Sequence, residues 1–203
     1  LGVKGSEIEA DGPAAPVRVR VLGGFEVLVC GRPVPFSAWR SKQARTLVKI
    51  LVARRGRPVR RDEVCELLWP DDVPARTAHR LSVLLSVVRT VLDPQHLWAV
   101  DHYLRADPAG LVLDQAHLEV DAEGLLRDAA FARVLLRAGE SDRAHHVLDT
   151  VDRLYRGTAF EEEPAEDWAV GLREEVRAVW CGACASWPIC TGPAAICARR
   201  SPC

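Results

Sequence analysis

The chain has 203 residues, 48% hydrophobic and 27% charged, with 27 Lys or Arg against 28 Asp or Glu and a formal net charge of −1. This is the composition of an ordinary globular protein of one or two domains and excludes a wholly disordered chain. No apolar run reaches the roughly eighteen residues that a membrane-spanning helix needs, with Lys49 interrupting the longest candidate, so no membrane partner is expected.

Residues 1–16, LGVKGSEIEADGPAAP, are rich in Gly, Pro, Ala and acidic residues without periodicity and read as a flexible leader. They lack the apolar core of a signal peptide, so a cytoplasmic location is the expectation. The sequence opens on Leu1 and contains no Met, which fits either a non-standard start codon or a piece of a longer reading frame.

From Val17 the stretch VRVRVLGGFEVLVCGRPVPF alternates apolar and polar residues at period two, broken at Gly23-Gly24 and at Gly31-Arg32-Pro33. Three short antiparallel strands are predicted. After Trp39 the period becomes helical: Ala44, Leu47, Val48, Ile50 and Leu51 form one stripe, with Ser41 as N-cap and Gly56 as the stop. A second helix lies in RRDEVCELLW, burying Val64, Leu67 and Leu68 and ending at Pro70. A third is ARTAHRLSVLLSVVRTVLDP, entered through PDDVPA and closed by Asp93-Pro94. LWAVDHYLRADPAGLVLD then reads as two extended segments joined at Asp107-Pro108-Ala109-Gly110, a turn in which Pro presets one dihedral and Gly permits a positive one. Strands, three helices and a hairpin make a helix-turn-helix with a terminal wing.

From about Asp121 the pattern is wholly helical. Leu125, Ala129, Ala132 and Leu136 form one stripe; Ala144, Val147, Leu148, Val151, Leu154 and Tyr155 a second; Trp168, Leu172, Val176 and Val179 a third. Gly139 and RGTAFEEEP separate them. Three amphipathic helices in sequence predict a helical-hairpin repeat array whose last pair is not closed.

Charge divides the same way. Arg32 to Arg89 hold thirteen Lys or Arg against five Asp or Glu, whereas Asp101 to Trp180 hold nine against eighteen. The basic half suits a polyanion.

On a helical wheel of the third helix, Leu81, Leu84, Leu85, Val88, Val91 and Leu92 fall within an arc of roughly 120°. The opposite arc holds Arg76, His79, Ser82, Val83, Ser86 and Thr90, flanked by Arg80 and Arg89, and no carboxylate. A helix entering the major groove needs short side chains, donors for base edges, arginines for guanine or phosphate, and no negative charge. Small polar residues and arginines also line ordinary solvated faces; the helix-turn-helix order, the hairpin and the local basic excess favour DNA. Arg40, Lys42 and Arg45 near the first helix, and Arg105 in the hairpin, are candidate phosphate clamps, though solubility alone also accounts for each.

The motifs LGGFEVLVCGRPV, WRSKQARTLVKILVARRGRPVRRDEVCELLWPDD, ARTAHRLSVLLSVVRTVLD and YLRADPAGLVLD resemble the OmpR/PhoB-type winged helix as it occurs in SARP (antibiotic regulatory protein) activators of actinobacteria. The segment ending in YRGTAFEEEPAEDWA resembles the bacterial transcriptional activation domain that follows it. The resemblance implies a mainly α fold with small antiparallel β, a winged helix-turn-helix over 17–114 and a tetratricopeptide-like all-α domain over 115–180. It implies a non-enzymatic regulator without cofactor that binds double-stranded DNA repeats in promoters, recruits RNA polymerase through the loop Pro70 to Pro74, and dimerises or contacts protein through the helical domain. It carries the base-reading role onto Arg76, Thr77, His79, Arg80, Ser82, Val83 and Ser86.

The tail, residues 181–203, holds five of the seven cysteines. Three readings compete: the WCxxC redox motif at Trp180 to Cys184, which lacks a downstream strand; a zinc site from Cys181, Cys184, Cys190 and Cys197, which has only one CxxC half; and a shift of reading frame that leaves the tail disordered and the helical domain truncated. The third is preferred, and it predicts exposed apolar surface at Trp168, Leu172 and Val176. Glu161-Glu162-Glu163 with Glu166-Asp167 reads as a solvated loop rather than a metal or catalytic cluster, and Cys30 and Cys65 as small buried hydrophobes. No phosphate loop, nucleophile elbow or dinucleotide fingerprint is present. Alternatives to a DNA-binding regulator are an interaction scaffold without DNA binding and a zinc or thiol protein centred on the tail.

Overall fold

The computed structural model describes residues 16–185. Almost all of the leader, and the tail cysteines Cys190, Cys197 and Cys203, lie outside the described residues.

Three strands open the chain: β1 (Val17–Arg20), β2 (Glu26–Val29) and β3 (Arg32–Pro33). Val17 and Val19 point into the core while Arg18 and Arg20 take the other face, as period two requires. Cys30 and Gly31 join β2 to β3 with φ of 48° and 75°, the two positive values of a turn whose twist matches the strands it connects. Cys30 is therefore an exposed turn residue, which corrects its reading as a buried hydrophobe.

After a short 3-10 turn at Phe36–Trp39 comes α1 (Lys42–Ala53), with the Ser41 hydroxyl accepting the Ala44 N–H at 3.2 Å as its N-cap. The helix stops before Gly56: Arg55 itself turns left-handed at φ 54°. That conformation is costly for a residue with a Cβ. Arg55 is held there by Glu123, at 2.5 and 2.8 Å, and by Glu175 at 2.7 Å.

Next are α2 (Arg61–Leu68), α3 (Pro74–Leu92) and a hairpin of β4 (Leu104–Asp107) with β5 (Gly110–Leu113), paired from Leu104↔Leu113 to Asp107↔Gly110. Reciprocal bonds between Val59 and Leu111, at 3.0 and 2.8 Å, dock the hairpin on the segment entering α2. Gly110 is required there: its φ is 141°, and a Cβ would lie 2.4 Å from the Val59 carbonyl oxygen. The extended segment expected from Leu97 is absent. The Asp93 carboxylate accepts the N–H groups of Leu97 and Trp98 at 3.0 and 2.9 Å and curls the chain, so β4 begins only at Leu104.

The rest of the described chain is β6 (Glu119–Val120), α4 (Asp121–Arg137), α5 (Ser141–Leu154) and α6 (Asp167–Ala185). Strand β6 adds to β1 in parallel, giving the sheet order β3-β2-β1-β6, a pairing that alternation within either strand does not specify. The architecture is mainly helical with small sheets, a winged helix followed by an all-α segment.

One continuous core runs from Val17 to Trp180 across the expected boundary near residue 114. Three polar anchors accompany it. Asp121 accepts the N–H groups of Val21, Leu22 and Ala122 at 2.8, 3.2 and 2.8 Å; burial raises its pKa and these bonds oppose the rise. Arg55 ties the end of α1 to α4 and α6. Lys49, only 4% exposed at its side chain, places Nζ 2.8 Å from Glu162 and 3.1 Å from Glu163 and 5.1 Å from the Phe25 ring centroid.

The acidic run is a loop entering α6, with Glu161, Glu162, Glu166 and Asp167 exposed as a solvated loop requires; beyond that reading, Glu162 and Glu163 also neutralise a lysine inside α1. The expectation for α6 is also corrected. Trp168, Leu172 and Val176 are buried, because α6 packs on α1 and α4 instead of waiting for a further repeat. It continues helically past Trp180 through Ala185, where a break had been expected.

Candidate nucleic-acid interface

Helix α3 begins at Pro74, whose fixed φ and missing N–H suit a first turn. Its inner side is the apolar stripe read from the sequence: Leu81, Leu84, Leu85, Val88, Val91 and Leu92 are all buried. Its outer side exposes Arg76, His79, Arg80, Ser82, Val83, Ser86 and Thr90. Between Arg76 and Thr90 there is no carboxylate on any face.

The hydroxyls on that outer side fold back onto the helix. Ser82 Oγ donates to the Ala78 carbonyl at 3.1 Å, Ser86 Oγ to Ser82 at 3.2 Å and Thr90 Oγ1 to Ser86 at 3.0 Å. Ala78, Ser82, Ser86 and Thr90 therefore form a low ridge at intervals of four, each hydroxyl satisfied by backbone and left with acceptor capacity outward. Low relief lets the helix axis approach a partner closely, and an outward acceptor matches the amino groups of adenine and cytosine.

The basic residues of the predicted site separate into two groups. Arg76 and His79 on α3, Arg40 at the end of the 3-10 turn and Lys42 in the first turn of α1 are exposed and make no ion pair with any described residue. The 3-10 turn that precedes Arg40 and Lys42 packs against α3. Arg105, exposed on β4, sits 3.3 Å from Asp107.

The others are occupied. Arg45 donates to the Phe25 carbonyl at 3.1 Å and lies over the Phe25 and Phe36 rings at 5.3 and 5.2 Å, so it fastens α1 to the sheet and does not stand out as a phosphate clamp. Arg89 donates from Nε and Nη2 to the Leu104 carbonyl at 3.3 and 3.1 Å, fixing the hairpin against α3. Desolvation there lowers its pKa, with Asp101 opposing and Arg61 adding to the shift. Thr77 is buried at 3% exposure. Four residues before Leu81, it is rotated only about 40° from it on the wheel and so belongs to the inner side. Thr77, Arg89 and Arg45 are thus engaged within the fold.

Arg80 falls between the groups. Its guanidinium stacks 4.5 Å from the Trp69 ring centroid and pairs with Asp72 in the turn between α2 and α3. Trp69 and Asp72 thereby orient Arg80, a role that the sequence reading missed. The only signal was their proximity to the helix start in WPDD.

Among the described residues no three His, Cys, Asp or Glu side chains are placed to hold a metal ion, and none of the helices is long and apolar enough to cross a membrane. Cys181 lies in the last turns of α6, whereas the redox motif needs its first cysteine at a helix start.

No family model and no curated protein matches the chain. Among solved structures, Mycobacterium tuberculosis EmbR in complex with low affinity phosphopeptide is similar to it over 91% of this chain and 48% of that one, with a TM-score of 0.69 and 21% identity. The two share a fold. The chain spans about half the length of that protein.

Proposed function

We propose that this chain is a sequence-specific DNA-binding transcriptional regulator of the SARP type, with α3 as the helix that enters the major groove. The observation that carries the reading is the outer face of α3: exposed, free of carboxylate, low in relief through Ser82 and Ser86, and carrying Arg76 without a competing ion pair among the described residues. In this account Arg76, His79, Ser82, Val83 and Ser86 face base edges, with Val83 against a thymine methyl, while Arg40, Lys42 and Arg105 neutralise phosphates. Arg80 contributes once a phosphate or base competes with Asp72. Thr77, Arg89 and Arg45 act only by holding the frame.

Activation then requires a protein surface. The turn from Pro70 to Pro74 would meet RNA polymerase, and the acidic helical segment would meet protein, a second copy included, rather than DNA. The likeness to EmbR supports the fold that this function uses.

The test is binding to promoter duplexes as a function of salt. Three phosphate contacts predict a slope of roughly −3 in log affinity against log salt, and Arg80→Ala with Ser86→Glu removes specific binding without lowering the melting temperature. Salt-insensitive binding, or a double variant that shifts DNA as well as wild type, would refute the assignment of α3.

A further inference from the structure

A cavity of about 750 Å³ opens between β1, β6, α4 and α5, on residues that belong neither to α3 nor to the hairpin. Five arginines line it: Arg18 and Arg20 from β1, Arg127 from α4, Arg153 from α5, and Arg156. They gather in or beside the acidic half of the chain, where carboxylates outnumber cations two to one. The distribution is therefore not a general basic surface.

The lining also contains three carboxylates, which are partly held from elsewhere. Asp121 accepts the backbone N–H groups of Val21, Leu22 and Ala122 and lies 3.7 Å from Arg156 of the same lining, and both oxygens of Glu123 are held by Arg55, which lies outside the cavity. Glu119 pairs with Arg18 at 2.8 Å. Arg20, Arg127 and Arg153 pair with Glu26, Asp128 and Asp149, none of which lines the cavity, and each pair leaves most of a guanidinium's five donors unused. The Gln115 side-chain amide, also in the lining, is buried at Nε2 with no hydrogen-bond partner among the described residues.

The apolar part of the lining, its floor, includes Val19, Leu118 and Leu154, with Gly124 against Leu154. A glycine inside a helix costs about 1 kcal/mol relative to alanine; here its missing side chain keeps the floor open. A space in the size range of small-ligand sites, with an apolar floor and a ring of guanidinium donors, suits a molecule carrying both an apolar ring and several phosphate oxygens.

We propose that this cavity binds an organic polyphosphate of the nucleoside triphosphate class at the junction of the winged helix and the helical segment. The site is independent of the DNA reading, since none of its residues is on α3.

The experiment measures ATP binding to the full chain by calorimetry and thermal shift at constant ionic strength, with adenosine and inorganic triphosphate as comparators. ATP should raise the melting temperature and bind more tightly than either comparator. Arg127→Glu with Arg153→Glu, both on exposed side chains, should weaken it at least about tenfold. Gly124→Leu keeps every arginine and fills the floor; a Cβ there meets Arg127 Nη2 at 3.8 Å and Leu154 Cδ1 at 4.0 Å, ordinary contacts that leave the helix unstrained. It should weaken ATP by a similar factor. Ser86→Glu should leave ATP binding unchanged, which separates this site from DNA recognition. Absence of ATP binding, equal binding of inorganic triphosphate, or an undiminished response in Gly124→Leu would overturn the proposal, the last by reducing it to charge attraction.

Discussion

Replacing Lys49 with alanine removes the one cation buried in α1 and tests whether the two segments are a single folded unit. Its Nζ contacts Glu162 and Glu163 from more than a hundred residues away and lies over Phe25. Removing one partner of a buried pair costs about 3–5 kcal/mol, because the other charge stays behind without compensation. Here the two carboxylates differ: Glu163 is 12% exposed and loses its cation, while Glu162, at 47%, regains water. The expected loss is therefore at the lower end, about 3 kcal/mol, and Lys49→Met, which keeps the apolar stem, should lose less. Urea unfolding followed by tryptophan fluorescence and by far-UV circular dichroism measures it. Because the core is continuous, both probes should report one coincident transition that moves as a whole. A loss below about 1 kcal/mol, or two separable transitions with only the first displaced, would refute the reasoning.

Four further outcomes follow from the contacts described above. Arg89→Ala should cost about 1.5 kcal/mol through the freed Leu104 carbonyl and leave the salt slope of DNA binding intact, whereas Lys42→Ala should leave the melting temperature alone and reduce that slope by about one. Gly110→Ala should cost more than about 2 kcal/mol, since the new Cβ meets both a positive φ and the Val59 carbonyl; a neutral result in thermal unfolding would mean that the hairpin does not dock there. For pH, partial burial pushes the Glu162 carboxyl up, but Lys49, the Phe25 N–H and Arg45 outweigh it and hold it below its ordinary 4.5. A depressed carboxylate stabilises the fold above its unfolded value and loses that contribution as pH falls through the folded one. The stability difference between wild type and Lys49→Ala should thus be full at pH 6 and shrink below about 4.5, a trend that Asp121, with its raised pKa, does not share; a difference constant down to pH 3 would contradict it.

The inner and outer sides of α3 were legible because a 3.6-residue period is a local property, visible in nineteen residues. The wheel alone also places Thr77 within about 40° of Leu81; it entered the reading set through family resemblance, and burial removes it. Long-range pairing was not legible. Nothing near Lys49 in sequence announces Glu162 and Glu163, nothing in Arg45 or Arg89 distinguishes a framework arginine from a phosphate clamp, and the two residues of β6 carry too short a pattern to declare a parallel partner. For α6 the apolar stripe was clear but its cover was not: α1 supplies it, so surface that the sequence left open is closed. The arginine cavity escaped for the same reason, its lining assembled from segments a hundred residues apart.

The most direct test is selection of duplexes from a random pool by the intact chain, followed by gel shift of the enriched sequence with wild type and Ser86→Glu. The account predicts a discrete enriched motif that wild type retains and Ser86→Glu releases, the variant unfolding at the same temperature as wild type. A pool without enrichment, or equal retention by the variant, would contradict it.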